Sequence, residues 1–165
     1  MITFRQGNIK DIPLIRELTF KIWPETYGAI LSQEQIDYML EMMYSPSSLE
    51  KQMLEQDHRF VIADENNQPV GFASYSRKDI DNNTYKLHKI YVLPGIQGKG
   101  VGKKLIDHII QSMLPSGAKT IELNVNRHNT AKKFYEKQGF KITRTEDIAI
   151  GNGYFMNDYV MEKNL

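Results

Sequence analysis

The chain contains no cysteine. That removes disulfides, thiolate metal sites and a cysteine nucleophile together, and with the last of these any acyl relay through a thiol. No run approaches the roughly 18 apolar residues of a membrane-spanning helix. The first residues, MITFRQGNIKD, lack the apolar core of a secretory signal. No membrane partner is expected, and the reading is a soluble, cytoplasmic protein. Charge leans neither way: 21 Lys and Arg stand against 20 Asp and Glu, so nucleic acid is not an expected partner and any basic patch must be local. Nothing points to a bound metal, and no repeat or low-complexity tract interrupts the chain.

What is present reads as one compact domain over residues 1–165, long enough to bury an apolar core. ITFRQ is a short first strand. In NIKDIPLIRELTFKIW, Ile12, Ile15, Leu18 and Ile22 recur at helical spacing behind Asn8 and Asp11 as a cap, and Pro24 follows. SQEQIDYMLEMMY is a second helix opened by Ser32, and SPSSLEKQMLEQ a third, short one. The period then changes. RFVIADENNQPVGFASYSR reads as two strands around an Asn-Asn turn, and YKLHKIYV as another strand. From Gly100 a helix presents Val101, Leu105, Ile109 and Met113 on one face until Pro115 and Gly117 stop it, and KTIELNV is a buried strand beyond. Strand, helix and strand in this order predict a parallel right-handed crossover. Asn129 caps TAKKFYEKQ, Gly139 fits the position just past its end, and two strands near 140–147 and 154–162 complete the chain.

The corner between YKLHKIYV and the next helix is rich in glycine, with Gly98, Gly100 and Gly102 among Lys99, Lys103 and Lys104. The first amides of a helix have no intrahelical partner and carry the positive end of the aligned peptide dipoles, so an anion is stabilised there. Two familiar phosphate loops do not fit. A nucleoside-triphosphate loop requires G-x-x-x-x-G-K-[ST], but Gln97 stands for its first glycine and Lys104 for its hydroxyl; a dinucleotide turn requires G-x-G-x-x-G, and the glycines here are out of phase.

What remains, Gln97-Gly98-Lys99-Gly100-Val101-Gly102, resembles the Q/R-x-x-G-x-G/A loop of the GNAT superfamily of acetyl-CoA-dependent N-acetyltransferases. A second stretch, NRHNTAKKFYEKQGF, is similar to that family's N-x-x-A-x-x-F-Y-x-x-x-G-F segment, with Lys132 where the family has alanine. The resemblance spans nearly the whole chain. It implies a mixed α/β (α+β) GNAT fold with six or seven strands, mostly antiparallel, a central splayed parallel pair and helices on both faces. The helical insert and the ending FMNDYVMEKNL look like polyamine acetyltransferases of the PaiA type.

The resemblance also implies roles. Acetyl-CoA would be held by Ile90, Tyr91, Val92, Gln97, Gly98, Lys99, Gly100, Val101, Gly102, Lys103, Asn129, Tyr135 and Lys137, with Lys132 and Lys133 beside Lys137. Tyr135 stands where the family's thiolate-protonating tyrosine stands, a phenol that keeps its proton at neutral pH. His88 is the first choice of base; it alternates onto one face with Ile90 and Val92, and Val92 N–H is the expected oxyanion donor. Glu122, on one face with Asn124, is the rival. Trp23, Glu25, Tyr27, Phe155 and Asp158 would border the pocket of a small-molecule amine, a polyamine among the candidates, where aromatic rings and carboxylates suit a cation. A non-catalytic sensor of coenzyme A, or a protein-interaction module, on the same fold is the alternative. Met39, Met42 and Met43 leave a homodimer open.

Overall fold

A computed structural model describes residues 1–165. In chain order the elements are β1 (Ile2–Gln6), a 3-10 turn (Ile9–Asp11), α1 (Ile12–Tyr27), α2 (Gln33–Tyr44), α3 (Pro46–Leu54), β2 (Arg59–Glu65), β3 (Gln68–Asp79), β4 (Thr84–Val92), α4 (Val101–Met113), β5 (Thr120–Asn126), α5 (Ala131–Lys137), β6 (Lys141–Gly151) and β7 (Tyr154–Asn164). The strands form one seven-stranded sheet in the order β1-β2-β3-β4-β5-β7-β6. Only β4 and β5 run parallel; every other pair is antiparallel. This is the mixed fold with a central parallel pair expected from the sequence.

The sheet is covered on both faces. One face packs Leu105, Ile106 and Ile109 of α4 and Tyr135 of α5 on Leu87, Ile121, Leu123 and Phe140. The other packs Ile15, Ile22 and Trp23 of α1, Ile36 and Met39 of α2 and Leu49 of α3 on Phe60, Ile62 and Phe72. The expected face of α4 is buried as the spacing demands: Val101, Leu105, Ile109 and Met113 are all at or below 2% exposed. No helix is long and apolar enough to cross a membrane.

Local signals explain most boundaries. Ser32 and Ser45 each accept an N–H from the third residue onward and so open α2 and α3. Asn66 and Asn67 both take positive φ, the geometry of a tight hairpin turn, between β2 and β3. After α5, Gly139 N–H bonds the carbonyl of Glu136 and Phe140 N–H that of Tyr135, a Schellman end that seats Phe140 in the core.

Three expectations require correction. Helix α1 does not end before Pro24 but carries it internally to Tyr27. The missing N–H and ring clash of an internal proline cost roughly 3 kcal/mol. The tilted packing of Tyr27 against buried Trp23, ring centroids 4.6 Å apart, and the burial that goes with it offset that. Strand β6 runs on to Gly151, four residues past the expected Asp147, because it is paired with β7 throughout. Met39 is buried, Met43 half-buried and Met42 38% exposed, so the three methionines do not form one exposed face.

Candidate active site

Strands β4 and β5 are paired only from Thr84/Thr120 to Leu87/Leu123. Beyond that point β4 continues to Val92 on β3 alone, and β5 continues to Asn126 on β7 alone. A gap therefore opens between two parallel strands in the middle of the sheet. Leu93 N–H donates to Val70 on β3. Donors alternate along a strand, so the N–H groups of Val92 and Ile90 face the gap, away from β3.

The gap leads to the start of α4. Lys104 N–H makes the first helical bond, to Gly100, at 3.0 Å, and the amides of Val101, Gly102 and Lys103 have no backbone acceptor. The glycines serve different ends. Gly98 (φ +91) and Gly100 (φ +78) hold backbone conformations that a side chain would strain. Gly102 is ordinary helix, and a Cβ there would lie 3.1 Å from Phe134 Cζ, so its role is to let α5 approach α4. Gln97 Nε2 donates to the Val92 carbonyl at 3.2 Å and fastens the turn to the end of β4.

A cavity of about 690 Å³ joins these parts. Of the residues expected from sequence, it is lined by Glu25, Tyr27, His88, Ile90, Tyr91, Val92, Gln97, Gly98, Gly100, Val101, Gly102, Lys103, Asn129 and Tyr135. Lys99 and Lys137 are exposed and line no part of it, and Lys132 is engaged with Glu136 and lies over the Tyr159 ring. Asn129 sits one residue before the cap position and accepts Ala131 N–H at 2.9 Å. Tyr135 is 8% exposed, edge-on to Phe134 and Phe140, with burial pushing its phenol further above neutrality. Its hydroxyl has no hydrogen-bond partner within the protein.

A second cavity, about 280 Å³, lies towards α1–α3 and the β6–β7 hairpin. Trp23, Phe155 and Asp158 line this one; Tyr27, His88, Lys89, Tyr91 and Asn124 border both. The Tyr27 and Tyr91 hydroxyls meet at 3.0 Å between them. The two cavities thus meet beside the strand gap.

His88 does not alternate with Ile90 and Val92. Opposite β3, Ser74 pairs with Lys89 and Tyr75 with Leu87, so His88 is the extra residue of a β-bulge. The bulge turns His88 and Lys89 both towards the α1–α3 face. His88 Nε2 meets Ser76 Oγ at 2.7 Å, and its ring stacks on His58 at 3.9 Å. Burial, then the neighbouring His58, Lys89 and Lys86, pull His88 down to about 3. A base that far below neutrality accepts a proton poorly. Glu122 is no better placed: it is buried, paired with Lys78, and lines neither cavity. Asp158, 5% exposed, is the carboxylate of the second cavity; burial raises its proton affinity against the pull of Asn124, whose amide donates to it at 3.2 Å.

Lys89 and Gln52 escaped the sequence reading. A lysine in a strand reads as solvated, and only the bulge, which leaves no mark on composition, turns this one inward. Lys89 is 9% exposed, and its Nζ donates to Gln52 Oε1 at 2.7 Å over the rings of Tyr44 and Phe60.

A sheet whose central parallel pair parts beside a bare helix start is the arrangement of an N-acetyltransferase of the GNAT type. The family model described as "Acetyltransferase (GNAT) domain" matches residues 29–163. The chain belongs to that family. It is 28% identical to the spermidine N(1)-acetyltransferase of Thermoplasma acidophilum over 98% of this chain and 96% of the relative. It is 31% identical to the peptidyl-lysine N-acetyltransferase YjaB of Escherichia coli over 81% of each. Among solved structures, the PaiA N-acetyltransferase of Thermoplasma acidophilum in complex with coenzyme A superposes with a TM-score of 0.84 at 27% identity, covering 100% of this chain and 99% of that one.

Proposed function

We propose that the protein transfers the acetyl group of acetyl-CoA directly to a primary amine of a small molecule. The observation that carries this reading is the continuity of one cavity from the free amides of Val101, Gly102 and Lys103, past the inward N–H groups of Ile90 and Val92, to the unengaged hydroxyl of Tyr135. When bound, the coenzyme supplies an activated acetyl thioester. The amides at the α4 start would hold its paired phosphates, with Lys103, which is paired with Asp107 at 2.8 Å, beside them. The N–H of Ile90 would pair with its extended arm, and that of Val92 would support negative charge on the acyl oxygen. Tyr135 gives its phenolic proton to the departing sulfur.

The amine enters from the second cavity, where Asp158 draws its ammonium form and takes the proton that must be lost before attack. His88 borders the path as a neutral, positioned ring. Polyamine acetylation is the reading that the Thermoplasma relative suggests, and spermidine is therefore the reference acceptor. The test is thiol release from acetyl-CoA across an amine panel. Turnover with an amine supports transfer, whereas coenzyme binding without product from any amine would make the protein a sensor.

A further inference from the structure

The second cavity is not built for a polycation. Its charged lining residues are Lys86, Lys89 and Asp158. Its two histidines are held by burial at about 4 for His58 and about 3 for His88, so both are uncharged at neutral pH. Two ammonium groups and one carboxylate thus line it. The two lysines differ. Lys86 is drawn by Glu122, Glu146 and Asp158. Lys89 has no carboxylate within ion-pairing distance; its Nζ donates to the neutral amide of Gln52 and lies over the Tyr44 and Phe60 rings. An ammonium has three N–H donors, so its hydrogen-bonding capacity is not filled by Gln52 alone.

Gln52 cannot turn away, because its own N–H₂ group is held by the Met43 carbonyl at 2.9 Å and the Ser48 hydroxyl at 3.1 Å. Further unmet polar groups stand on the lining: the indole N–H of Trp23 and Nδ1 of His58 are buried without partners. A buried charge left unpaired is costly, and a ligand anion relieves it. The same lining carries the apolar side chains of Met39, Met43, Phe155 and Met156.

We infer that the acceptor is a zwitterion: a small amine whose ammonium end meets Asp158 while a carboxylate at its other end is bound by Lys89, with an apolar body between. This rests on the acetyl-transfer reading above and narrows its substrate class. A volume of about 280 Å³ sits at the low end for ligand pockets and favours a free small molecule over a peptide.

The experiment compares acceptors matched in body and differing in one end: δ-aminovalerate against cadaverine, and para-aminomethylbenzoate against para-xylylenediamine, with spermidine alongside. The carboxylate member of each pair should show a kcat/KM at least about tenfold higher, the size of one charge-assisted hydrogen bond. Lys89→Met should bring each pair within about twofold, and so should Gln52→Glu, which gives Lys89 a partner of its own. A separate calorimetric titration with para-methylbenzoate, which has no amine and needs no coenzyme, should show binding to the wild type and none to Lys89→Met. Diamines or spermidine preferred by the wild type, or a carboxylate preference untouched by both variants, would overturn the inference and leave acetyl transfer standing. If no amine releases thiol, the transfer reading fails instead, and the titration still decides whether Lys89 takes a carboxylate.

Discussion

Replacing Lys89 by methionine should stabilise the protein, and by an amount that depends on pH. The ammonium titrates at 10.5 in an unfolded chain and at about 8 in the fold, with burial as the cause. Each unit is worth about 1.4 kcal/mol, so the buried charge costs the folded state about 3 kcal/mol at neutral pH. Methionine keeps the length of the stem and packs favourably on the Tyr44 and Phe60 rings, but leaves Gln52 Oε1 without its donor, a loss of about 1 kcal/mol. The net gain at pH 7 is therefore about 2 kcal/mol. The unfolded wild-type chain holds more protons than the folded one between 8 and 10.5. Wild-type stability accordingly rises through that window relative to the variant, and the advantage of methionine fades as it is crossed. Urea denaturation of both proteins at pH 7 and near pH 10 measures this directly, the difference between them cancelling every other group that titrates. A variant less stable than wild type at pH 7, or a gap equal at both pH values, would refute the reasoning.

Tyr135→Phe should lower kcat by about a hundredfold while leaving the Kd for acetyl-CoA within about twofold, since general acids contribute on that scale; stopped thiol-release assays and calorimetry separate the two. Gly102→Leu should lower the melting temperature, because its side chain would start 3.1 Å from Phe134 Cζ and must displace that ring, at a cost of about 1–3 kcal/mol. His88→Gln should flatten the acid side of the stability curve. The wild-type imidazole is held at about 3 against 6.5 when unfolded, so it favours folding fully above pH 6.5 and that contribution is lost as pH falls towards 3. An unchanged acid limb in denaturant titrations would place the ring outside a buried environment.

The fold was legible in the sequence where a single local signal decides it. The serine caps of α2 and α3, the Asn66-Asn67 turn, the apolar face of α4 and the end of α5 at Gly139 are each written in a few neighbouring residues. The glycine turn and the cavity beside it were legible for the same reason, since a helix start and the strand feeding it are contiguous in the chain. The second cavity was legible only in part: Trp23, Tyr27, Phe155 and Asp158 were expected together and do line it, but it is assembled from α1, α2, α3 and strands β4 to β7, and its character hangs on one inserted residue in β4 that turns His88 and Lys89 to the same face. Period-two reasoning puts such neighbours on opposite faces, and nothing in YKLHKIYV announces the exception. The internal Pro24 was missed for a similar reason, because the packing of Tyr27 on Trp23 that carries the helix past it becomes visible only once α1 is docked.

The central claim is that the free amides at the start of α4, shaped by Gly98 and Gly100, grip the paired phosphates of acetyl-CoA. It is tested most directly by calorimetric titration of the coenzyme into the wild type and into Gly100→Val, whose side chain would strain the turn at φ +78. The account predicts binding tighter than about 100 μM in the wild type and at least about tenfold weaker in the variant, with the fold intact by circular dichroism. Equal affinity in the two proteins, or no binding to either, would contradict it.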